Sequence, residues 1–348
     1  MFNRWVLELL YPDLLDWANW LWEQRRIPPL WLSVAGSDPC IAPASKEVEG
    51  GGGRAEAAAA QPPHHLWCKK SWGMGKLQGA RFESLDNSPM YDPPDGYSIW
   101  NATTHRMNIY DVGQSAATAA EAEALGAIAA ELNRPADAAM LAGRYKQLGE
   151  LINTHMWQPE LGVYSNLLLN GTAYPRIAPT SFYPLLAGLA SDEQATATIT
   201  SWLTNSTRFC VPASAADWPP AAPPNPNGNT SCYWGMPSIA ADDPAYMVAG
   251  GTSGIYWRGA TWPPQAYLVF LALQRYDHLP AARAARQGLV AQQLDLMLGV
   301  WRATHHICEN YGSTSSSNAS DCTGNHFYSW GGLSALMALT ESNTTVLH

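Results

Sequence analysis

Charge is the first thing this sequence is short of. Asp, Glu, Lys and Arg make up 14% of its 348 residues, against roughly 25% in an average soluble domain. No block of Lys or Arg occurs, and the net charge is −9, which argues against nucleic acid as a partner. No run of 18 apolar residues exists, so there is no candidate for a transmembrane helix and no membrane insertion is expected. No C-x-x-C pair is present, which argues against zinc ribbons and thioredoxin-type redox sites. His305 and His306 stand in neither H-E-x-x-H nor H-x-x-E-H, and no third ligand is evident, so neither a metal nor an organic cofactor is expected. A series of alternating strands is also missing, and with it the rhythm of a parallel sheet.

What is present is apolar, aromatic and rich in possible modification sites. Hydrophobic residues reach 47%, enough for a folded core. Asn-X-Ser/Thr occurs at Asn101, Asn170, Asn205, Asn229, Asn318 and Asn343, each a possible glycan acceptor on a loop. The six cysteines suit the same compartment and pair by proximity as 40–68, 210–232 and 308–322, although six allow fifteen connectivities. Together these features suggest a secreted protein or one of the secretory-pathway lumen. The opening MFNRWVLELLYPDLLDW, interrupted by Pro12, Asp13 and Asp16, reads poorly as a signal peptide. Trp numbers 16, roughly three to four times ordinary usage. Many stand in loops, where flat indoles suit the apolar faces of sugar rings; filling a helical core is the competing use.

Helical periodicity covers residues 5–25, 115–132 and a segment from Pro135 to about His155. It returns at 181–189, 193–203, 264–274, 280–298 and 332–339, with Ser191 and Gln194 in capping-box spacing. Residues 41–65, ending EVEGGGGRAEAAAAQPPHH, shift abruptly to low complexity and read as an insertion. Residues 211–235 are a loop rich in Pro, Asn and Gly. The architecture implied is all-α, helical hairpins in a barrel or bundle with functional loops at one end.

Four stretches carry candidate chemistry. In ESLDNSPMYD, residues 83–92, Pro89 holds Ser88 out of helix and Leu85 offers an apolar wall beside Asp86. A carboxyl placed so can be a general acid, or simply close an Asx-turn. In HHICENYGS, Glu309 stands between Cys308 and a polar loop. In GIYWRGATW, Tyr256, Trp257 and Arg258 precede a helix start and can line a pocket or serve packing alone. In GNHFYSWGG, Trp330 precedes a glycine pair that permits close backbone approach.

In this order the four stretches resemble glycoside hydrolase family 63, most closely its mannosylglycerate-hydrolase-like branch. That branch carries E-S-G-[LWM]-D-N-S-P-x-[YW]-D, Y-W-R-G-P-x-W, an E-x-Y segment and F-x-W-G. The segments YDVGQSAATAAEAEALGAIAAELNR, LGVYSN and FYPLLAGLAS resemble it too. The resemblance implies a single (α/α)6 toroid over residues 1–348, although the 85 residues ahead of Asp86 are few for the first helices of a complete ring, and inverting hydrolysis of an α-glycoside. It carries over Asp86 as general acid and Glu309 as general base, with Glu83, Asn87, Tyr256, Trp257, Arg258 and Trp330 around the sugar. The expected partner is a small carbohydrate such as a mannosyl- or glucosyl-glycerate. The alternatives are a secretory-pathway α-glucosidase acting on N-glycan glucose, and an inactive carbohydrate-binding toroid. The last is motivated by a departure: Ser84 meets Leu85 directly, where the family has a Gly between them.

Overall fold

The computed structural model describes residues 4–35, 85, 87–92, 94–101, 103–104, 106–210, 236–246, 256–311, 322–326 and 329–346. The low-complexity stretch 41–65 and the loop 211–235 lie outside them.

The protein is an all-α (α/α)6 toroid, and its helices fall into two layers. One layer consists of α2 (Val112–Glu131), α4 (Tyr183–Leu186), α6 (Pro263–Arg275) and α8 (Leu333–Val346), each packed on the next. Around it lie α1 (Arg4–Gln24), α3 (Pro135–Leu151), α5 (Asp192–Thr198) and α7 (Pro280–Thr304). The buried face of α2 is built from Ala116, Ala119, Ala122 and Ala129, whose small side chains let α1, α3 and α4 approach closely. The larger residues of the main core, among them Tyr164, Phe182, Trp202, Phe209 and Phe270, fill the space between layers.

Local sequence sets the helix ends. Asp111 is extended, and its Oδ1 accepts the Gln114 N–H at 2.8 Å, so α2 starts three residues before its apolar period does. Pro135, Pro263 and Pro280 each open a helix with fixed φ and no orphaned N–H. The Ser191–Gln194 capping box forms in full. The helix expected over 181–189 is instead a 3-10 turn, Pro179–Phe182, followed by the four-residue α4. Proline starts the turn, and Gly188 at φ +67° ends the segment. Helix α7 runs six residues past its expected end at 298 and stops where His305 turns left-handed, φ +57°.

Short antiparallel pairs connect several of the helices. They are β1 (Arg26–Ile27) with β2 (Leu32–Ser33), and β3 (Trp100–Asn101) with β4 (Arg106–Met107). Next, β5 (Ile109–Tyr110) joins β8 (Asn166–Leu168) and β9 (Ala173–Tyr174), and β6 (Trp157–Gln158) pairs with β7 (Val163–Tyr164). Last, β10 (Cys308–Tyr311) pairs with β11 (Cys322–His326), setting Cys308 opposite His326 and Tyr311 opposite Cys322. That register separates the Cys308 and Cys322 Cα atoms by ~10 Å, beyond the roughly 7 Å a disulfide spans. The 308–322 pairing expected from proximity does not fit it.

No described helix is long and apolar enough to cross a membrane. Helix α1 is anchored at its end by a cation–π stack: the Arg26 guanidinium lies 3.6 Å from the Trp22 ring centroid and Arg144 of α3 lies 4.9 Å away. Between α1 and α2, Glu121 is pushed up to about 7 by burial, with Arg144 offsetting only part of the cost. A carboxyl whose folded pKa is raised contributes its stability below the unfolded value near 4.5 and loses it as pH climbs through about 7. Glu121→Gln is therefore expected to gain ~1–3 kcal/mol on the parent between pH 4.5 and pH 8. Urea unfolding of both proteins at the two pH values measures this; a difference that does not change with pH contradicts it.

Candidate active site

Each candidate stretch leads into the start of an inner helix or pairs with one that does. The turn after Asn87 is fixed by Ser88: its N–H bonds Leu85 O at 2.8 Å, and its side chain caps the 3-10 turn Pro89–Tyr91. From that turn the Tyr91 hydroxyl donates to Asp111 Oδ2 at 2.6 Å, tying the stretch to the N-cap of α2. Burial pushes Asp111 up, and the Tyr91 hydroxyl with the amides of Gln114 and Gly113 pulls it back. Thr180, ahead of α4, approaches Met90 Sδ at 3.6 Å. Tyr256–Arg258 is a 3-10 turn ahead of α6, and Ser329–Gly332 one ahead of α8.

These turns meet on an aromatic wall. Asn87 Oδ1 accepts the Trp257 N–H at 2.8 Å, across 170 residues of sequence. The Trp257 indole stacks on Trp262, centroids 3.6 Å apart and planes within 6°. Tyr256 meets Trp262 edge-on at 4.6 Å, and Trp330 does so at 6.2 Å. Leu85, Met90 and Tyr91 pack in the same cluster. Arg258 Nη2 lies 2.9 Å from both carboxylate oxygens of Asp92, and the Tyr174 hydroxyl donates to Asp92 O.

Glu309 stands against this wall. It is on β10 and 8% exposed; the polar loop that follows Tyr311 in sequence lies outside the described residues. A buried carboxylate needs donors in place of water, and the Tyr256 hydroxyl donates to Oε1 at 3.0 Å. Trp330 Nε1 donates to the Glu309 backbone O at 2.9 Å. Strand β10 is fixed in turn by paired bonds between Thr261 and Tyr311, 2.8 and 3.0 Å. Gly331 permits the approach of the Trp330 turn: a Cβ there would sit 2.7 Å from Cys308 O. No group of three or more His, Cys, Asp or Glu among the described residues is arranged to hold a metal ion.

The family model of the mannosylglycerate hydrolase MGH1-like glycoside hydrolase domain matches residues 3–331. The chain belongs to this family. It is a glycoside hydrolase of the family 63, mannosylglycerate-hydrolase-like kind. No curated protein sequence matches it. Among solved structures, the family 63 mannosylglycerate hydrolase from Thermus thermophilus in complex with glucose superposes with TM-score 0.63 at 17% identity, over 97% of this chain and 69% of that one. The same enzyme with Tris and D-glycerate gives 0.62 at 16%, over 97% and 72%. The neutral trehalase Nth1 from Saccharomyces cerevisiae gives 0.52 at 15%, over 76% and 42%. At these identities the superpositions speak for the fold.

Of the site residues read from sequence, Asn87, Tyr256, Trp257, Arg258, Glu309 and Trp330 are brought to one wall of this glycosidase. Asp86 and Glu83 lie outside the described residues; the neighbours of Asp86, buried Leu85 and docked Asn87, are within them. Sequence reasoning passed over Trp262, Asp92 and the Tyr91–Asp111 pair. Trp262 and Asp92 stood inside quoted stretches, but nothing in the order of letters shows that one backs Trp257 and the other answers Arg258. Asn87→Ala removes the acceptor of the Trp257 N–H and is expected to cost ~1–3 kcal/mol in denaturant unfolding. Asn87→Asp keeps an oxygen there and should cost less; equal costs contradict the assigned bond.

Proposed function

We propose that this glycosidase hydrolyses a small α-glycoside of the mannosyl- or glucosyl-glycerate type with inversion at the anomeric carbon. Asp86 protonates the leaving oxygen as its bond to the anomeric carbon breaks. Glu309 takes a proton from a water that attacks the opposite face, so that water and glycoside become a free alcohol and a β-configured sugar. The observation that carries this reading is the buried Glu309 carboxylate, held by Tyr256 on the wall to which Asn87, the residue after Asp86, is bonded. Trp257 and Trp330 supply apolar faces for the sugar, with the buried Trp262 backing Trp257, and Arg258 and Glu83 supply polar contacts. The substrate type is supported by the Thermus thermophilus relative, solved once with glucose and once with D-glycerate. In this reading residues 1–348 form one catalytic domain.

A second reading, an α-glucosidase of the secretory pathway, has its own support. Cys210 and Cys308 are both disulfide-bonded, as befits an oxidising compartment. The sequon residues Asn101, Asn170 and Asn205 stand on turns where the asparagine oxygen accepts an N–H two residues on. Released sugar from a panel of α-mannosides, α-glucosides and their glycerate conjugates separates the two.

Asp86→Asn and Glu309→Gln are each expected to lower kcat ~10³-fold or more. Tyr256→Phe, which loses one hydrogen bond, is expected to lower it ~10-fold. Proton NMR of the first turnovers should show the β-anomer. Activity retained in either carboxyl variant, or the α-anomer appearing first, overturns the assignment.

A further inference from the structure

A cleft of about 400 Å³ opens between α1 and α2, lined by Trp17, Leu21, Gln114, Ala117, Thr118 and Glu121. Its size falls within the roughly 300–1,000 Å³ of small-molecule sites. It shares no residue with the wall that holds Glu309. We propose that this cleft is a second carbohydrate-binding site, taking a single hexose ring with an apolar face on Trp17 and its hydroxyl edge on α2.

The apolar side is rigid. Trp17 stacks on Trp20 with centroids 5.1 Å apart and planes 20° from parallel. Trp20 is itself buried and carries the Arg25 guanidinium 4.9 Å from its centroid. The Trp17 plane is therefore set by its backing. Leu21, 5% exposed, forms the floor one turn further along α1.

The opposite side is a row of oxygen acceptors. Gln114, Thr118 and Glu121 stand on one face of α2 at i, i+4 and i+7. The Thr118 hydroxyl donates its hydrogen to Gln114 O at 2.8 Å; its other contacts, Gln114 Nε2 at 3.5 Å and Ser33 Oγ at 3.4 Å, are long ones that a ligand hydroxyl can replace. The Glu121 carboxyl makes no hydrogen bond or close ion pair among the described residues, although burial has raised it to about 7. Keeping a costly carboxyl without a partner fits a group that waits for one. Sugar hydroxyls supply donors to such a row, and the ring C–H face matches the indole. No Lys or Arg among the described residues lines the cleft, so phosphate and carboxylate ligands lack a counter-charge there.

The experiment follows the Trp17 indole N–H resonance of the protein, assigned by its loss in Trp17→Phe, during titration with glucose, with mannose and with glycerol. The expected result is a saturable shift with a hexose but not with glycerol. In Glu121→Gln the dissociation constant should rise about ten-fold, as a charge-assisted hydrogen bond is lost. Glu309→Gln should leave the titration unchanged, and Trp17→Phe and Glu121→Gln should keep the parent's hydrolytic rate. Absence of a saturable shift up to about 100 mM sugar overturns the proposal. So does a shift that disappears in Glu309→Gln, which would report the other site. So does a shift that follows protein concentration without sugar, which would make the cleft a surface between copies. Loss of hydrolysis in the parent with the Trp17 titration intact would refute the proposed function and leave this site standing.

Discussion

The hydrogen bond from the Trp257 backbone to Asn87, 2.8 Å long and 170 residues apart in sequence, is the constraint on which the candidate site rests. It fixes the ESLDNSPMYD stretch to the aromatic turn ahead of α6. Everything else at the wall extends from that tie. The Arg258–Asp92 ion pair repeats it five residues on along the same stretch. The Trp257–Trp262 stack carries it into the helix start, and Tyr256 carries it to Glu309. A two-point link of this kind gives a turn an orientation as well as a place. For a general acid and a general base acting on opposite faces of one ring, orientation decides whether the pair works.

The toroid brings these turns together because its inner helices share a polarity. Tyr91 reaches the N-cap of α2, Thr180 precedes α4, Trp262 precedes α6 and Trp330 precedes α8. Functional turns that precede inner helices collect at the helix N-termini, where the backbone dipoles favour negative charge. The cleft between α1 and α2 is a different kind of place. It lies along the sides of two helices, and its carboxyl is kept at a cost to stability.

Much of this was legible in the sequence. The four motifs stand in family order, and their residues Asn87, Tyr256, Trp257, Arg258, Glu309 and Trp330 meet on one wall. Helical period located α1, α2, α3 and α6 to within a few residues, because proline starts and side-chain caps leave marks in the letters. The rest depends on packing. Two-residue strands such as β5 are too short to show alternation, yet β5 sets the entry to α2. The burial of Glu309 involves Tyr256 and Trp330, both distant in sequence, and neither contact is visible in the letters around it. The 308–322 disulfide looked natural by proximity and fails on register, which only the hairpin reveals. The Gly missing before Leu85 raised the question of whether the shortened turn still docks. Leu85 is 2% exposed, and Asn87 holds its bond to Trp257.

The central claim is that Asp86 and Glu309 flank one glycosidic bond with room for a water between Glu309 and the anomeric carbon. A crystal structure with a non-hydrolysable substrate analogue measures the separation of the two carboxyl groups directly. The account predicts roughly 6.5–9.5 Å with an ordered water against Glu309. A separation near 5 Å would point to a retaining enzyme, and one beyond about 12 Å would contradict the pairing altogether.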